Sequence, residues 1–360
     1  MHRGGGIQLR RRAAVSAPGI LLTGATGLVG GSLLRRLLQE SPERPVYALV
    51  RNLAAGPPCP GARLIQGDIT QPRLGMAKEI YAGLCGSLGT IVHCAAATRF
   101  TLPLAEARQV NVLGTANVLE LAHQTSQFEV LLHVSSTFIA GRRGGTLRET
   151  PLWDPAGWFS SYEQSKFEAE QLIQEQGAGL PWVIARLSTL AGHSKTGRVS
   201  QVNYFHQLLR LIPRNLFPVI PGVADAPVDL VADDWVADAL MGILRTVPPA
   251  GSVLHLCAGP TQSVPAQEIL ERAFHLHQRQ EMKMPKFVKL AEFQAFVAAL
   301  RGPSAETLRV IAQFLILCLP HLELRQQFLN TKASALLAPL GIVPVRTRDF
   351  LPLVMRACIL

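Results

Sequence analysis

Short apolar runs alternate along this chain with glycine-marked turns and helical stretches. The first run, Ile20-Leu21-Leu22, has the length of a buried strand. Thr23-Gly24-Ala25-Thr26-Gly27-Leu28-Val29-Gly30 follows, opening into the helix-forming Leu33-Leu34-Arg35-Arg36-Leu37-Leu38. Val46-Tyr47-Ala48-Leu49-Val50 reads as a second strand, and Leu64-Ile65-Gln66-Gly67-Asp68-Ile69 as a third that ends in Asp68. Leu131-Leu132-His133-Val134-Ser135-Ser136-Thr137 is an apolar strand whose far end carries hydroxyls. Buried runs alternating with helices predict an α/β fold: a Rossmann-type doubly wound parallel sheet.

The later chain is patterned more coarsely. Residues 141–158, with Gly141, Gly144, Gly145, Pro151 and Pro155, read as a loop that can cover a site. Residues 198–222 mix an apolar helix (Tyr204, Phe205, Leu208, Leu209, Leu211) with Pro213, Pro218 and Pro221. Residues 284–360 are helical by periodicity, as at Phe287, Leu290, Phe293, Phe296, Val297 and Leu300. That apolar content is either ordinary core or the wall of an apolar pocket. The expected division is a basic tail (1–18), a nucleotide-binding domain (19–258) with insertions around 198–222, and a smaller, mostly helical C-terminal substrate region (259–360).

The glycine turn carries the first chemical signal. Glycine lets the backbone turn sharply and lets a phosphate approach without meeting a Cβ, while the following helix offers free N–H groups and its positive dipole end. Gly24, Thr26, Gly27, Leu28, Val29 and Gly30 are therefore candidate cofactor contacts. An acidic residue after the second strand would accept both ribose hydroxyls of NAD; this chain has Arg51. A guanidinium suits a 2′-phosphate and favours NADP(H), although Arg51 also reads as a solvated strand end. Asp68, with Ile69 beside it, is placed either to accept from the adenine amino group or to make a turn.

Tyr162-Glu163-Gln164-Ser165-Lys166 carries the second signal. Tyrosine and lysine four apart share a helix face. An ammonium near a phenol stabilises phenolate and suits proton transfer near neutral pH. A serine at a strand's carboxyl end can hydrogen-bond a substrate carbonyl.

Glycine turn, strand-end serine and Tyr-x-x-x-Lys, in that order, resemble the extended short-chain dehydrogenase/reductase family from residue 19 to about 258. Within it the chain resembles the fatty acyl-CoA reductase and thioester reductase branch, with its male-sterility-type NAD-binding domain. The residues that carry this are Ile91-Val92-His93-Cys94-Ala95-Ala96-Ala97, Phe100, Asn111-Val112-Leu113-Gly114-Thr115, His133-Val134-Ser135-Ser136, Tyr162 to Lys166 with Glu168-Ala169-Glu170, Arg186-Leu187-Ser188 and Val228-Asp229-Leu230-Val231. The branch usually has Arg-Pro-Ser at 186–188 and Pro-Val where Ala232-Asp233 stands. The first departure falls on a backbone contact to nicotinamide; the second lies on the substrate side.

The resemblance implies roles. Ser136, five residues before Gly141, holds the substrate carbonyl, ahead of Ser135. Tyr162 gives a proton or hydrogen bond to the developing oxyanion. Lys166 holds the nicotinamide ribose and tunes Tyr162, and Asn111 braces Lys166. Ala95, Ala96 and Ala97 let the cofactor pass, and Ser135, Leu187 and Ser188 complete its contacts. The implied reaction is NADPH-dependent reduction of an acyl thioester, on CoA or an acidic acyl carrier protein, to an aldehyde. Further reduction to the alcohol stays open. The same trio serves dehydrogenases and epimerases acting on sterol-like, sugar-nucleotide or flavonoid-like ketones and alcohols. A non-catalytic NADP-binding regulator would not need all three residues.

Composition narrows this further. The 360 residues are 48% hydrophobic, with a mean hydropathy of +0.22. The net charge of +10 is scattered, without aromatic interleaving, which argues against nucleic acid. It suits the phosphates of NADPH and CoA, or an acidic carrier. The six cysteines (Cys59, Cys85, Cys94, Cys257, Cys318, Cys358) lack close-pair spacing and read as reduced thiols in a cytoplasmic protein with no metal site. Arg3, Arg10, Arg11 and Arg12 precede no long apolar core, so a secretory signal is not expected; an organelle presequence stays open. No uninterrupted 18-residue apolar run occurs, so no transmembrane segment is expected, while peripheral membrane contact is allowed. A monomer or a homodimer is expected.

Overall fold

A computed structural model describes residues 17–55, 59–276 and 283–359. The basic residues 3 and 10–12 lie outside the described residues. Seven strands form one sheet: β1 (Gly19–Thr23), β2 (Val46–Val50), β3 (Arg63–Gln66), β4 (Leu88–His93), β5 (Val130–Ser136), β6 (Trp182–Leu187) and β7 (Ser252–Leu256). Their spatial order is β7-β6-β5-β4-β1-β2-β3, and every neighbouring pair is parallel. β1, β4, β5 and β6 are buried along their whole length, because helices cover both faces of the sheet.

The chain winds outward from β1 in both directions. Between β1 and β4 the connections diverge to opposite faces, which opens a crevice at the carboxyl ends of the strands. α1 (Leu28–Glu40) packs Leu33, Leu34 and Leu37 into one core layer. α2 (Lys78–Cys85), α3 (Leu104–Arg108), α4 (Gly114–Gln124) and α5 (Ser161–Gln176) follow. The layer on the other face holds Leu84, Val118, Leu121 and Ile173. A π-helical turn, Gln109–Leu113, links α3 to α4 and carries Asn111.

The remaining helices are α6 (Tyr204–Leu211), α7 (Asp233–Thr246), α8 (Ala266–Leu276), α9 (Leu290–Ala299), α10 (Ala305–Cys318), α11 (His321–Leu324), α12 (Thr331–Leu337) and α13 (Thr347–Ile359). α7 and α13 return to the sheet's first core layer, where Trp235, Leu240, Phe350 and Val354 are buried. α9 and α10 instead pair over a separate small core of Phe217, Phe293, Val297, Ala312 and Leu315. Of the 284–300 apolar residues, Phe293 and Val297 are thus ordinary core.

The helical stretch Ala305–Leu324 is long and apolar enough to cross a membrane, with mean hydropathy 1.4 in its 18-residue window and 22% of that window buried. That match is one of length and composition only, which a helix packed in a protein core also meets: Ala312 and Leu315 are buried here with Phe217 and Phe293, so the expectation of no transmembrane segment is not overturned. That expectation rested on uninterrupted apolar runs, whereas this stretch keeps its mean hydropathy around interspersed polar residues such as Gln313.

The C-terminal segment is stitched back to the loop after β5. Gln327–Phe328 pairs in parallel with Thr146–Leu147. The buried Glu149 carboxylate accepts from the N–H groups of His255, Lys332 and Ala333.

Candidate active site

The glycine turn fits a dinucleotide pyrophosphate. Gly24 has φ +72°, and a Cβ there would lie 2.6 Å from Ala95 N. A Cβ at Gly30 would meet Gly24 O at 2.2 Å, so the turn and α1 pack with no room for a side chain. Gly27 caps α1 without any side-chain cap, which leaves the helix's first N–H groups directed into the crevice. Leu28 N–H donates to Gln201 Oε1 at 3.1 Å. Thr26 is exposed at this mouth and Val29 partly buried.

Arg51 follows β2 and is exposed, with no hydrogen-bond or ion-pair partner among the described residues. Asp68 follows β3. Its Oδ1 accepts from both the N–H and the hydroxyl of Thr70 at 2.9 Å, so this oxygen serves the turn. Ile69 O accepts from Asn117 Nδ2 at 2.7 Å, and the Ile69 side chain fills the space that a Cβ at Gly114 would need. On the other side of β1, Ala95 N–H donates to Thr23 Oγ1 at 3.2 Å. Asn111 brackets Ala97, accepting from its N–H at 2.8 Å and donating to its carbonyl at 3.1 Å. Ala95, Ala96 and Ala97 therefore form a fixed rim beside Gly24.

Ser136 ends β5, and Tyr162 and Lys166 stand on α5. That helix starts at Ser160, whose hydroxyl accepts from Glu163 N–H while donating to Glu163 Oε1 at 2.9 Å. Burial pushes the Tyr162 pKa up, hydrogen bonding from Ser136 pulls the other way, and the Glu163 charge adds to the rise. Ser136 and Tyr162 thus face each other, with the phenol held in its proton-bearing form. Phe100 stacks on Tyr162 at 5.6 Å between centroids, and Phe100 and Phe138 both meet Tyr204.

Lys166 differs from expectation. Its Nζ turns inward, donating to Val134 O and to His133 Nε2, each at 2.9 Å. Burial lowers its pKa to about 8, against raising influences from Glu170 and Cys94. The expected depression of the Tyr162 pKa by this ammonium is absent: the ammonium is turned to His133 and Val134, and burial raises the phenol. His133, held neutral by burial and by the Lys166 charge, serves as the acceptor. Asn111 reaches Ser165 Oγ at 2.8 Å, one residue from Lys166. Ser135 is buried, with an unpartnered hydroxyl. Leu187 ends β6, and Ser188 donates to Asp229 O at 2.8 Å.

Beyond this group lies an apolar cavity of about 180 Å³. Phe138 and Tyr204 form its wall nearest Tyr162; Leu208, Phe287, Ile311 and Leu315 line it further out. The sequence pointed to the apolar helix at 204–211 and to the 284–360 region, but not to Phe138 or His133. A lone histidine inside the apolar run 131–134 was the available signal for His133.

The family described as male sterility protein matches residues 22–56 and 61–240. An isonitrile lipopeptide synthase from Streptomyces coeruleorubidus is 30% identical over 288 residues, covering 72% of this chain and 19% of that protein. Fatty acyl-CoA reductase 1 from Gallus gallus is 30% identical over 227 residues, covering 49% of this chain and 44% of the reductase. The chain therefore spans less than half the length of either relative. The crystal structure of the terminal R domain from the myxalamid PKS-NRPS biosynthetic pathway superposes with a TM-score of 0.76 at 25% identity, covering 96% of this chain and 91% of that domain.

Proposed function

This chain belongs to the male sterility protein family of NAD-binding oxidoreductases, and from that premise we propose that it reduces acyl thioesters to aldehydes with NADPH. The observation that carries the substrate is the apolar cavity that begins at Phe138 and Tyr204, beside the Ser136–Tyr162 pair. An alkyl chain gains roughly 0.8 kcal/mol for each methylene buried there. A sugar nucleotide would bring several hydroxyls against the apolar part of the same wall, at about 1–3 kcal/mol for each left unpaired. NADPH is favoured over NADH by the unpaired Arg51 guanidinium after β2.

The nicotinamide cofactor, when bound, supplies the hydride. The glycine turn and the start of α1 hold its pyrophosphate, and the Ala95–Ala97 rim borders it. Ser136 hydrogen-bonds the thioester carbonyl oxygen. Tyr162 donates its proton to that oxygen as negative charge grows on it, a stabilisation a fixed donor in a dry site supplies well. The hemithioacetal then breaks its C–S bond, giving aldehyde and thiol. Scattered basic residues attract the phosphates of CoA or an acidic carrier protein, an effect that salt screens.

The test is NADPH oxidation with acyl-CoA substrates of increasing length, at low and high salt, with products identified by mass spectrometry. We expect kcat/KM to rise with chain length, by up to about fourfold per methylene, until the cavity is full. Consumption of ketones or alcohols with no thioester consumed at any length would overturn this reading.

A further inference from the structure

One imidazole interrupts the apolar cavity wall. His321 opens α11, and the edges of the Phe138 and Phe159 rings meet it at centroid distances of 4.9 Å. Its Nε2 lies 3.2 Å from Oε1 of Glu163, whose side chain is fully buried. Glu163 also accepts from Phe159 N–H and Ser160 Oγ, each at 2.9 Å. A carboxylate only accepts, so Nε2 carries the hydrogen, and in the neutral imidazole Nδ1 presents its lone pair. That Nδ1 is buried and has no partner.

A buried acceptor without a partner is costly, and such groups in native proteins ordinarily find one. Nothing in the surrounding aromatic wall supplies it. A ligand in the cavity can. His321 packs on Phe138, whose own N–H donates to Ser136 Oγ at 3.2 Å, so the imidazole stands near the reacting end of the cavity.

We propose that His321 selects acyl thioesters that carry a hydroxyl close to the carbonyl. Such a hydroxyl donates to Nδ1, whereas a plain alkyl chain covers that atom and leaves it unpaired. A site built to meet a hydroxyl discriminates against the analogue that lacks one. The inference rests on the thioester reading and narrows its substrate.

The experiment compares 2-hydroxyacyl-CoA, 3-hydroxyacyl-CoA and unsubstituted acyl-CoA of equal length with NADPH and the full chain. The wild type is expected to favour one hydroxyacyl substrate by about 10- to 100-fold in kcat/KM. His321→Phe keeps an aromatic ring in the wall and should abolish the preference. His321→Asn, whose amide can meet a hydroxyl, should keep part of it. No preference in the wild type, or a preference that survives in His321→Phe, overturns the proposal. So does an equal loss on all substrates in both variants, which marks a purely structural role. If no thioester is consumed, the thioester reading itself falls, a result distinct from turnover without preference.

Discussion

Glu170→Gln tests what holds α5, the helix that carries Tyr162 and Lys166, in place. Glu170 on α5 and Arg186 on β6 form an ion pair whose side chains are 2% and 1% exposed. Arg186 Nε lies 3.0 and 3.1 Å from the two carboxylate oxygens, and Nη2 lies 2.7 Å from Oε2. The same guanidinium donates to Thr150 O at 3.0 Å and approaches His255 Nε2 at 3.3 Å. Glutamine has nearly the shape of glutamate, but it removes the charge and turns an NH₂ group toward a guanidinium that can only donate. An uncompensated buried cation remains, which costs about 3–5 kcal/mol. Against a total stability of about 5–15 kcal/mol for a typical domain, that is a large fraction. Urea unfolding followed by tryptophan fluorescence measures it, with Trp182 at the start of β6 as a nearby reporter. Replacing both partners, Glu170→Leu with Arg186→Met, should recover most of the loss, since buried ion pairs exchange for apolar groups at little net cost. About 1 kcal/mol should stay lost, because Thr150 O loses its donor. A loss below about 1 kcal/mol in Glu170→Gln, the value of an exposed pair, would refute the reasoning. So would a double variant as unstable as the single one.

Tyr162→Phe should lower turnover by about 10²-fold or more with NADPH binding retained; wild-type turnover, with chemistry rate-limiting, rules out the phenol as donor. Arg51→Ala should raise the NADPH dissociation constant roughly 10- to 100-fold, by losing charge-assisted bonds worth about 1.5–3 kcal/mol, and should leave NADH nearly unchanged. Equal weakening of both cofactors in a binding titration removes Arg51 from the 2′-phosphate. Lys166, lowered to about 8, is charged below that pH and loses its charge as pH rises through it. If that charge grips the nicotinamide ribose, NADPH affinity should fall above about pH 8, and Lys166→Arg, charged throughout, should flatten the profile. A falling limb that persists in the arginine variant assigns the titration to another group.

What was legible in the sequence was local. The glycine turn needs only consecutive residues, and Gly24 and Gly30 sit where strand-to-helix geometry excludes a Cβ. Tyr162 and Lys166 share a face because a helix repeats, and that too reads from spacing. The inward turn of Lys166 was not legible, since it depends on His133 in a neighbouring strand. The cavity was only half legible. Phe293 and Phe287 follow one periodic pattern, yet one is core and the other, on the short strand Lys286–Val288, lines the cavity, because tertiary packing decides which side of α9 meets Phe217. The His321–Glu163 contact joins residues 158 apart and leaves no trace in either local pattern.

The Glu149 carboxylate has a consequence for timing. It binds N–H groups as many as 184 residues further along the chain, and Gln326 likewise donates to Gly141 O across 185 residues. Ribosomes extend a chain at roughly 5–20 residues per second, so those partners emerge roughly 10–40 s after Glu149 does. β1 to β5 can pair long before then. The loop behind Ser136 cannot be pinned until residues 326–333 have left the ribosome, so a nascent chain holds a nearly finished sheet beside an unfinished site. Until residues 305–318 are made, the apolar wall formed by Leu208 and Leu211 lacks its α10 cover. The nascent chain's exposure to misassociation is therefore set by how quickly residues 260–333 are made.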